Sequence, residues 1–424
     1  MVCMKEIKDI IFFTGAGFSK PAACKMSIDM LSDLESLSND GNSMFTQTER
    51  KTIKFILSCL YYHAQWRSLE ADGKYSYQPN IEEFAMLLRR IQKRENLLPY
   101  PVTGNWSDKI MSLEQEFRFE NKDSELDLYD SIERKIKTIC YREWLDASNT
   151  DFLAPLSEFF RDNPRIDTKL EWFTLNNDLV LEGHFQNDNS IYTGFVSQKW
   201  VGFDRTSIDE DTYNAGRVNY YKLHGSIDWF RMNDGTVRKK NQNIDESEID
   251  AKTNPFLIFG HGTKLFTIDP FFSLLKAFHD KLHERRYFFI IGYSFFDPHV
   301  NNLLFNELMA NPDQDKKMIL VNPKLNRNLN FNDFDFESKY GFDRVLKKES
   351  AIRLVNYFKD IQRNNFYSDM PEFNMTQIST ESFVYVQCSG QDFISRLFSK
   401  SDEGLYWLTQ IVNELGSEPE KTFK

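Results

Sequence analysis

Three groups of residues in this 424-residue chain could do chemistry. The first is the glycine turn Gly15-Ala16-Gly17-Phe18-Ser19. Glycines let a backbone approach a phosphate, whose charge then rests on amide N–H groups at the start of the next helix. A tight strand-to-helix turn uses the same residues. The second is Asn176-Asn177-Asp178, where a carboxamide and a carboxylate two positions apart at a strand end can both point into a crevice or close an Asx turn. The third is Lys222-Leu223-His224-Gly225. A histidine with a near-neutral pKa can take a proton from a hydroxyl or a water, and His-Gly is equally an ordinary strand exit. Each group is ambiguous alone; delivered by one sheet, they form a site.

The elements that would deliver them are legible. The apolar run from Lys8 to Thr14 is continuous rather than alternating, as a strand covered on both faces requires. Further runs span Leu170–Leu175, Val218–Leu223, Pro255–Phe259, Tyr287–Ile291 and Met318–Val321, with helical stretches at about Pro270–Glu284 and Pro298–Ala310. Each run ends in small or polar residues, the last four at His224-Gly225, Gly260-His261-Gly262, Gly292-Tyr293-Ser294 and Asn322-Pro323. Open α/β sheets bind ligands beyond the carboxyl ends of their strands. Residues 25–165 read as helices, with capping-box spacing at Thr46/Glu49 and Asn80/Glu83. Ile81, Phe84, Leu87, Leu88 and Ile91 lie on one helical face, and Ile132, Ile136, Ile139 and Cys140 on another. The pattern predicts an α/β fold with a Rossmann-like, mostly parallel sheet and helices on both faces. A large helical insertion over about 25–165 sits inside a domain of residues 1–330, and a C-terminal α+β region of residues 331–424 follows as an assembly or partner surface.

Composition excludes several classes. With 52 Lys+Arg against 63 Asp+Glu the net charge is −11, and the longest basic stretch is Arg238-Lys239-Lys240, so direct nucleic-acid binding is not expected. No apolar span reaches membrane length, and Met1–Ile11 lacks the apolar core of a signal peptide. Five scattered cysteines without a C-x-x-C pair fit a reduced, cytoplasmic chain with no thiolate zinc site. The remaining histidines (His63, His184, His261, His279, His283, His299) show no metal-ligand spacing, and His184 is expected in a turn. Asp245–Asp250 reads as a solvated loop. The third glycine of a dinucleotide fingerprint is replaced by Lys20, and Asp33 and Glu35 follow no second strand, which argues against hydride transfer.

In order, Gly15-Ala16-Gly17-Phe18-Ser19, Thr174-x-Asn176-x-Asp178, Lys222-Leu223-His224-Gly225-Ser226 and Gly292-Tyr293-Ser294 resemble the sirtuin family over about residues 8–325. K-L-H-G-S-I-D-W and I-I-G-Y-S-F-F-D-P-H are closer still to its bacterial sirtuin-like branch in anti-phage defence. The resemblance implies that Gly15, Ala16, Gly17, Phe18 and Ser19 hold the phosphates of NAD. Asn176 would position the nicotinamide ribose and a water, Asp178 would lie near the carboxamide, and His224 would be the general base. Gly292, Tyr293 and Ser294 would line the adenosine side and Asn322 the adenine ribose end.

Departures from the family matter as much. Protein-deacylating sirtuins carry a four-cysteine zinc module after the catalytic histidine, and no cysteine occurs from Tyr141 to Gln387. Lys25-Met26-Ser27-Ile28-Asp29 stands where they have Pro-Asp-Phe-Arg, and Leu175 and Asn177 replace the usual Gln and Ile. Without an acyl-lysine groove, water becomes the acceptor. The expectation is an NAD glycohydrolase that yields nicotinamide and ADP-ribose and depletes NAD in abortive infection, with NAD as substrate and no zinc. It would work as a homo-oligomer, with a HerA-type ATPase or helicase or a prokaryotic Argonaute as partner. An NAD-dependent deacylase and a non-catalytic NAD or ADP-ribose-sensing scaffold are the alternatives.

Overall fold

A computed structural model describes residues 9–41, 43–70, 78–94, 106–162, 169–186, 190–203, 217–240, 249, 255–260, 268–295, 297–310, 316–322, 383–386 and 388–398. The chain divides into two compact units. The first comprises Met1–Ala23, Ala147–Leu223 and Thr267–Lys424; the second comprises Cys24–Asp146 and His224–Phe266.

The first unit is built on a seven-stranded sheet. Its strands are β1 (Ile10–Thr14), β2 (Leu170–Thr174), β3 (Ile191–Tyr192), β4 (Val218–Lys222), β5 (Tyr287–Ile291), β6 (Lys317–Val321) and β7 (Phe383–Val386). The spatial order is β7-β6-β5-β1-β2-β4-β3, and every pairing is parallel. All five positions of β1, β2, β4, β5 and β6 are buried, as strands of a doubly covered sheet demand, including the polar Glu171, Asn219, Lys222 and Lys317.

Strand alternation sends neighbours in sequence to opposite faces. Phe12 stacks on Trp172 and Phe289, and Phe289 meets Phe393 of the helix Gly390–Leu397. Phe13 and Phe173 point the other way, onto Phe278 of the helix Phe271–Glu284. Edge strand β7 and the helix Gly390–Leu397 both come from the C-terminal stretch after residue 331.

Register fixes the rim. Thr14 pairs with Thr174 and Ile291, Thr174 with Lys222, Ile291 with Val321, and Val321 with Val386. The carboxyl ends therefore lie level. From β1 the chain builds outward through β2 and β4 on one side, then returns to place β5 and β6 on the other. The order reverses between β1 and β5, which is where open α/β sheets open a crevice.

The second unit is mostly helical, with α1 (Ser27–Asn39), α2 (Gln47–Glu70), α3 (Ile81–Lys93), α4 (Trp106–Glu120) and α5 (Leu128–Lys135). Both expected capping boxes form. Glu49 N–H donates to Thr46 Oγ1 and Thr46 N–H to Glu49 Oε2, while Asn80 and Glu83 do the same at α3. Phe84, Leu87, Leu88 and Ile91 pack with Ile53, Ile56, Ile132 and Ile136.

Two expectations are corrected. After α5 a π turn, Ile136–Cys140, breaks the 3.6-residue period. It carries Ile139 to the surface and buries Lys137 against Glu133. Glu133 also accepts two hydrogen bonds from Arg89. Pro255–Phe259 is no strand of the sheet. It belongs to the second unit, where Leu257 makes an isolated bridge to Gly225 and Phe256 N–H donates to the Trp229 carbonyl. An apolar run bonded to the loop at His224–Gly225 and to the end of the short strand Trp229–Arg231 satisfies its backbone without joining the parallel sheet. Asp245–Asp250 lies outside the described residues except for Ile249, which bridges Met232. His261, Gly262 and Pro323 also lie outside them.

Candidate functional site at the carboxyl rim

The glycine turn closes directly on the first residue after β5. Gly15 N–H donates to the Ile291 carbonyl (3.0 Å) and Gly17 N–H to the Gly292 carbonyl (2.9 Å). The strands come so close that a Cβ on Gly15 would sit 2.8 Å from Gly292 O, and one on Gly17 would sit 2.9 Å from Gly292 Cα. Gly292 itself has φ +63° and leaves 2.4 Å between an added Cβ and Phe18 N, a backbone only glycine adopts cheaply. These glycines thus allow a close backbone crossing. Phe18 N–H returns to the Gly15 carbonyl, so three amides of this turn are engaged within the protein. The Phe18 side chain is core, edge-on to Trp172 and Phe152, whereas Ala16 is exposed.

Asn176 is clamped onto that turn. Its Nδ2 donates to the Gly15 carbonyl (3.0 Å) and to Ser19 Oγ (2.8 Å), and its own N–H donates to Thr174 Oγ1 (3.1 Å). The Thr174 hydroxyl donates in turn to the Thr14 carbonyl (3.2 Å), and Trp172 Nε1 donates to Thr14 Oγ1 (3.2 Å). Both amide hydrogens are used, and no described residue donates to Asn176 Oδ1. The carboxamide therefore keeps an acceptor at the rim in a fixed direction.

Asp178 is buried, with 3% exposure. Its Oδ1 accepts the Val180 N–H (3.0 Å), closing the Asx turn that opens the one-turn helix Val180–His184. Its main-chain carbonyl accepts from Lys222 Nζ, which also donates to Glu182 Oε1 (3.0 Å). Burial, and after it the charges of Glu182 and Asp178, push the Tyr220 phenol well above its ordinary value. His184, expected in a turn, ends this short helix between Ser157 Oγ (2.6 Å) and Thr150 Oγ1 (3.3 Å), and burial lowers its pKa.

Beyond β5 the loop is equally determined. Asn322 Nδ2 donates to the Tyr293 carbonyl (3.0 Å), Tyr293 Oη to Asn301 Oδ1 (2.8 Å), and Asn301 Nδ2 to the Phe295 carbonyl (2.7 Å). Phe295 is held at φ +59°, an unusual state for a bulky residue, while Ser294 is exposed. Gly15–Ser19, Asn176, Tyr293 and Asn322 are thus linked at one rim. His224 is counted with the second unit. It follows Leu223, whose N–H donates to the Thr174 carbonyl, and its own carbonyl accepts the Ile258 N–H (2.8 Å). The imidazole-bearing residue is buried, with 8% exposure.

Sequence reasoning passed over Thr14 and Asn301, and gave no role to Thr174 and Lys222 although both stand within its motifs. A lysine closing the strand run V-N-Y-Y-K was a usable signal, because a buried ammonium demands partners. Among the described residues no group of His, Cys, Asp and Glu could hold a metal ion, and no helix is long and apolar enough to cross a membrane.

Residues 171–343 match the SIR2-like domain family. The match takes in Asn176, Asp178, His224 and the β5 loop, and leaves the glycine turn outside it. No curated protein matches the chain. Among solved structures it is similar to a triple mutant of a Sir2 homologue in complex with 2'-O-acetyl ADP ribose. That likeness has 10% identity and a TM-score of 0.34, and covers 98% of this chain and 97% of the other.

Proposed function

We propose that this protein is an NAD glycohydrolase. The observation that carries the reading is the Asn176 clamp, a carboxamide fixed by Gly15 and Ser19 with its carbonyl oxygen kept as acceptor, beside the β1/β5 reversal of strand order. A rim of this kind suits a dinucleotide, and the SIR2-like match over 171–343 supports NAD as that dinucleotide.

In this reading the bond between the ribose anomeric carbon and the nicotinamide nitrogen breaks, and its electron pair leaves with nicotinamide. The ribosyl cation that develops is stabilised by fixed dipoles and by the buried Asp178 carboxylate. Water held by Asn176 Oδ1 adds to the cation, and its proton passes to His224, giving ADP-ribose. Gly15–Ser19 take the phosphate side, and Gly292, Tyr293, Ser294 and Asn322 the adenosine side. With three turn amides already engaged, the pyrophosphate would rest on the remaining ones and on the helix start.

Unrestrained hydrolysis would kill the cell that makes the enzyme. The resemblance to the defence branch supports an enzyme held silent in a homo-oligomer and released on infection, alone or with a HerA-type ATPase or an Argonaute. Size exclusion coupled to an NAD assay tests this gating: a monomer with full constitutive activity contradicts it.

Product analysis tests the activity itself. The purified chain, incubated with NAD alone and again with infected-cell extract, is expected to release nicotinamide and ADP-ribose in equal amounts. Turnover that requires an acylated peptide would make it a deacylase. NAD binding by calorimetry without nicotinamide release under either condition would make it a sensing scaffold.

A further inference from the structure

Strand β4 reads V-N-Y-Y-K, and its final lysine has 0% exposure. A buried ammonium is costly unless its protons find acceptors. Lys222 Nζ finds the main-chain carbonyl of Asp178 and Glu182 Oε1, the latter at 3.0 Å with the carboxylate side chain 14% exposed. The first acceptor belongs to the turn that carries Asn176. The second belongs to the one-turn helix that Asp178 caps through Val180. One cation therefore grips a single short segment at both ends, from a strand locked in register with β2.

We propose that Lys222 is a positioning residue for the reaction, setting the height of the Asn176–Asp178 turn over the rim and thereby the direction of Asn176 Oδ1. The inference deepens the glycohydrolase reading and rests on it. Lys222 also balances the charge of Glu182 at the far end of the same segment. A shift of about 1 Å in a reacting group can lower a rate roughly 10²-fold, so a backbone anchor of this kind acts on kcat.

The main variant keeps charge in balance, because Lys222→Met alone would strand a buried Glu182. The double variant Lys222→Met with Glu182→Gln is expected to fold, to lose at least ~10-fold in kcat for nicotinamide release and to keep KM for NAD within ~3-fold. Hydrogen exchange across residues 175–184 should quicken in the same protein. Glu182→Gln alone costs stability by leaving the Lys222 ammonium without its carboxylate, but keeps the ammonium–carbonyl bond, so in protein whose native fold is confirmed by circular dichroism its kcat should stay within ~3-fold of wild type, and Lys222→Arg should fall between the two. A double variant with wild-type kcat, or an equal loss in Glu182→Gln alone, overturns the proposal. If the wild-type chain releases no nicotinamide, the glycohydrolase reading fails separately, and unchanged exchange in the double variant then overturns the role of Lys222.

Discussion

The two ends of strand β2 place polar groups in a buried sheet and use them oppositely. Near the amino end, Glu171 accepts from Tyr221 Oη (2.8 Å) and Asn219 Nδ2 (3.2 Å), and pairs with Lys281 (3.3 Å) and Arg285 (3.7 Å). Donors surround that carboxylate, and its hydrogen-bonding capacity is turned inward. Just past the carboxyl end, Thr174, Gly15 and Ser19 hold only the nitrogens of Asn176, leaving its carbonyl oxygen to face outward. Burial and polarity are alike at the two ends. The difference lies in the direction of unused capacity, and the proposed reaction would use the end where that capacity faces outward.

The contrast can be broken by substitution. Asn176→Ala should lower nicotinamide release by about 10²-fold or more, the scale of removing one oriented group at a reaction centre, and cost about 1–3 kcal/mol in unfolding because the Gly15 carbonyl and Ser19 Oγ lose their donor. Gly292→Ala places a Cβ 2.4 Å from Phe18 N at φ +63°. It should destabilise the first unit by more than ~4 kcal/mol, or prevent folding, as read by thermal unfolding.

The helical unit repeats the inward arrangement and sharpens it. Burial alone would raise the Glu133 carboxyl, but the Lys137 charge and the hydrogen bonds from Arg89 outweigh it and hold the group at about 2. A depressed carboxylate contributes stability that is present above its unfolded value and lost as pH falls towards the folded one. Acid titration of unfolding should therefore show up to about 3 kcal/mol disappearing between roughly pH 4.5 and 2, and Glu133→Gln should flatten that slope. Smallest is Glu171→Gln. It should remove about 1–3 kcal/mol in urea unfolding while kcat for nicotinamide release in the folded protein stays at its wild-type value. Equal losses of kcat from Glu171→Gln and Asn176→Ala would erase the distinction between the two ends.

Much of the fold was legible because its signals are local. A continuous apolar run marked β1, short β-rich runs marked β2, β4, β5 and β6, and the Thr46/Glu49 and Asn80/Glu83 spacings marked two helix starts before any packing was known. The π turn after Lys135 was not legible, since Lys137 and Ile139 exchange faces only when an extra residue enters the turn and Glu133 offers a partner. Pro255–Phe259 read as a strand because apolar content alone does not say whether a sheet edge is at hand. At the rim, the glycines and Asn176 stood out by residue type. The engaged amides of Gly15 and Gly17 and the grip of Lys222 depend on neighbours 40 or more residues distant in sequence, and no spacing rule reaches them.

The most direct measurement follows nicotinamide release from NAD by the wild-type chain and by His224→Ala, with NAD binding measured on both by calorimetry. A protein that cuts NAD with this histidine as base should retain binding after the substitution and lose ~10² to 10⁴ of its turnover. A folded His224→Ala protein that consumes NAD at the wild-type rate would contradict it.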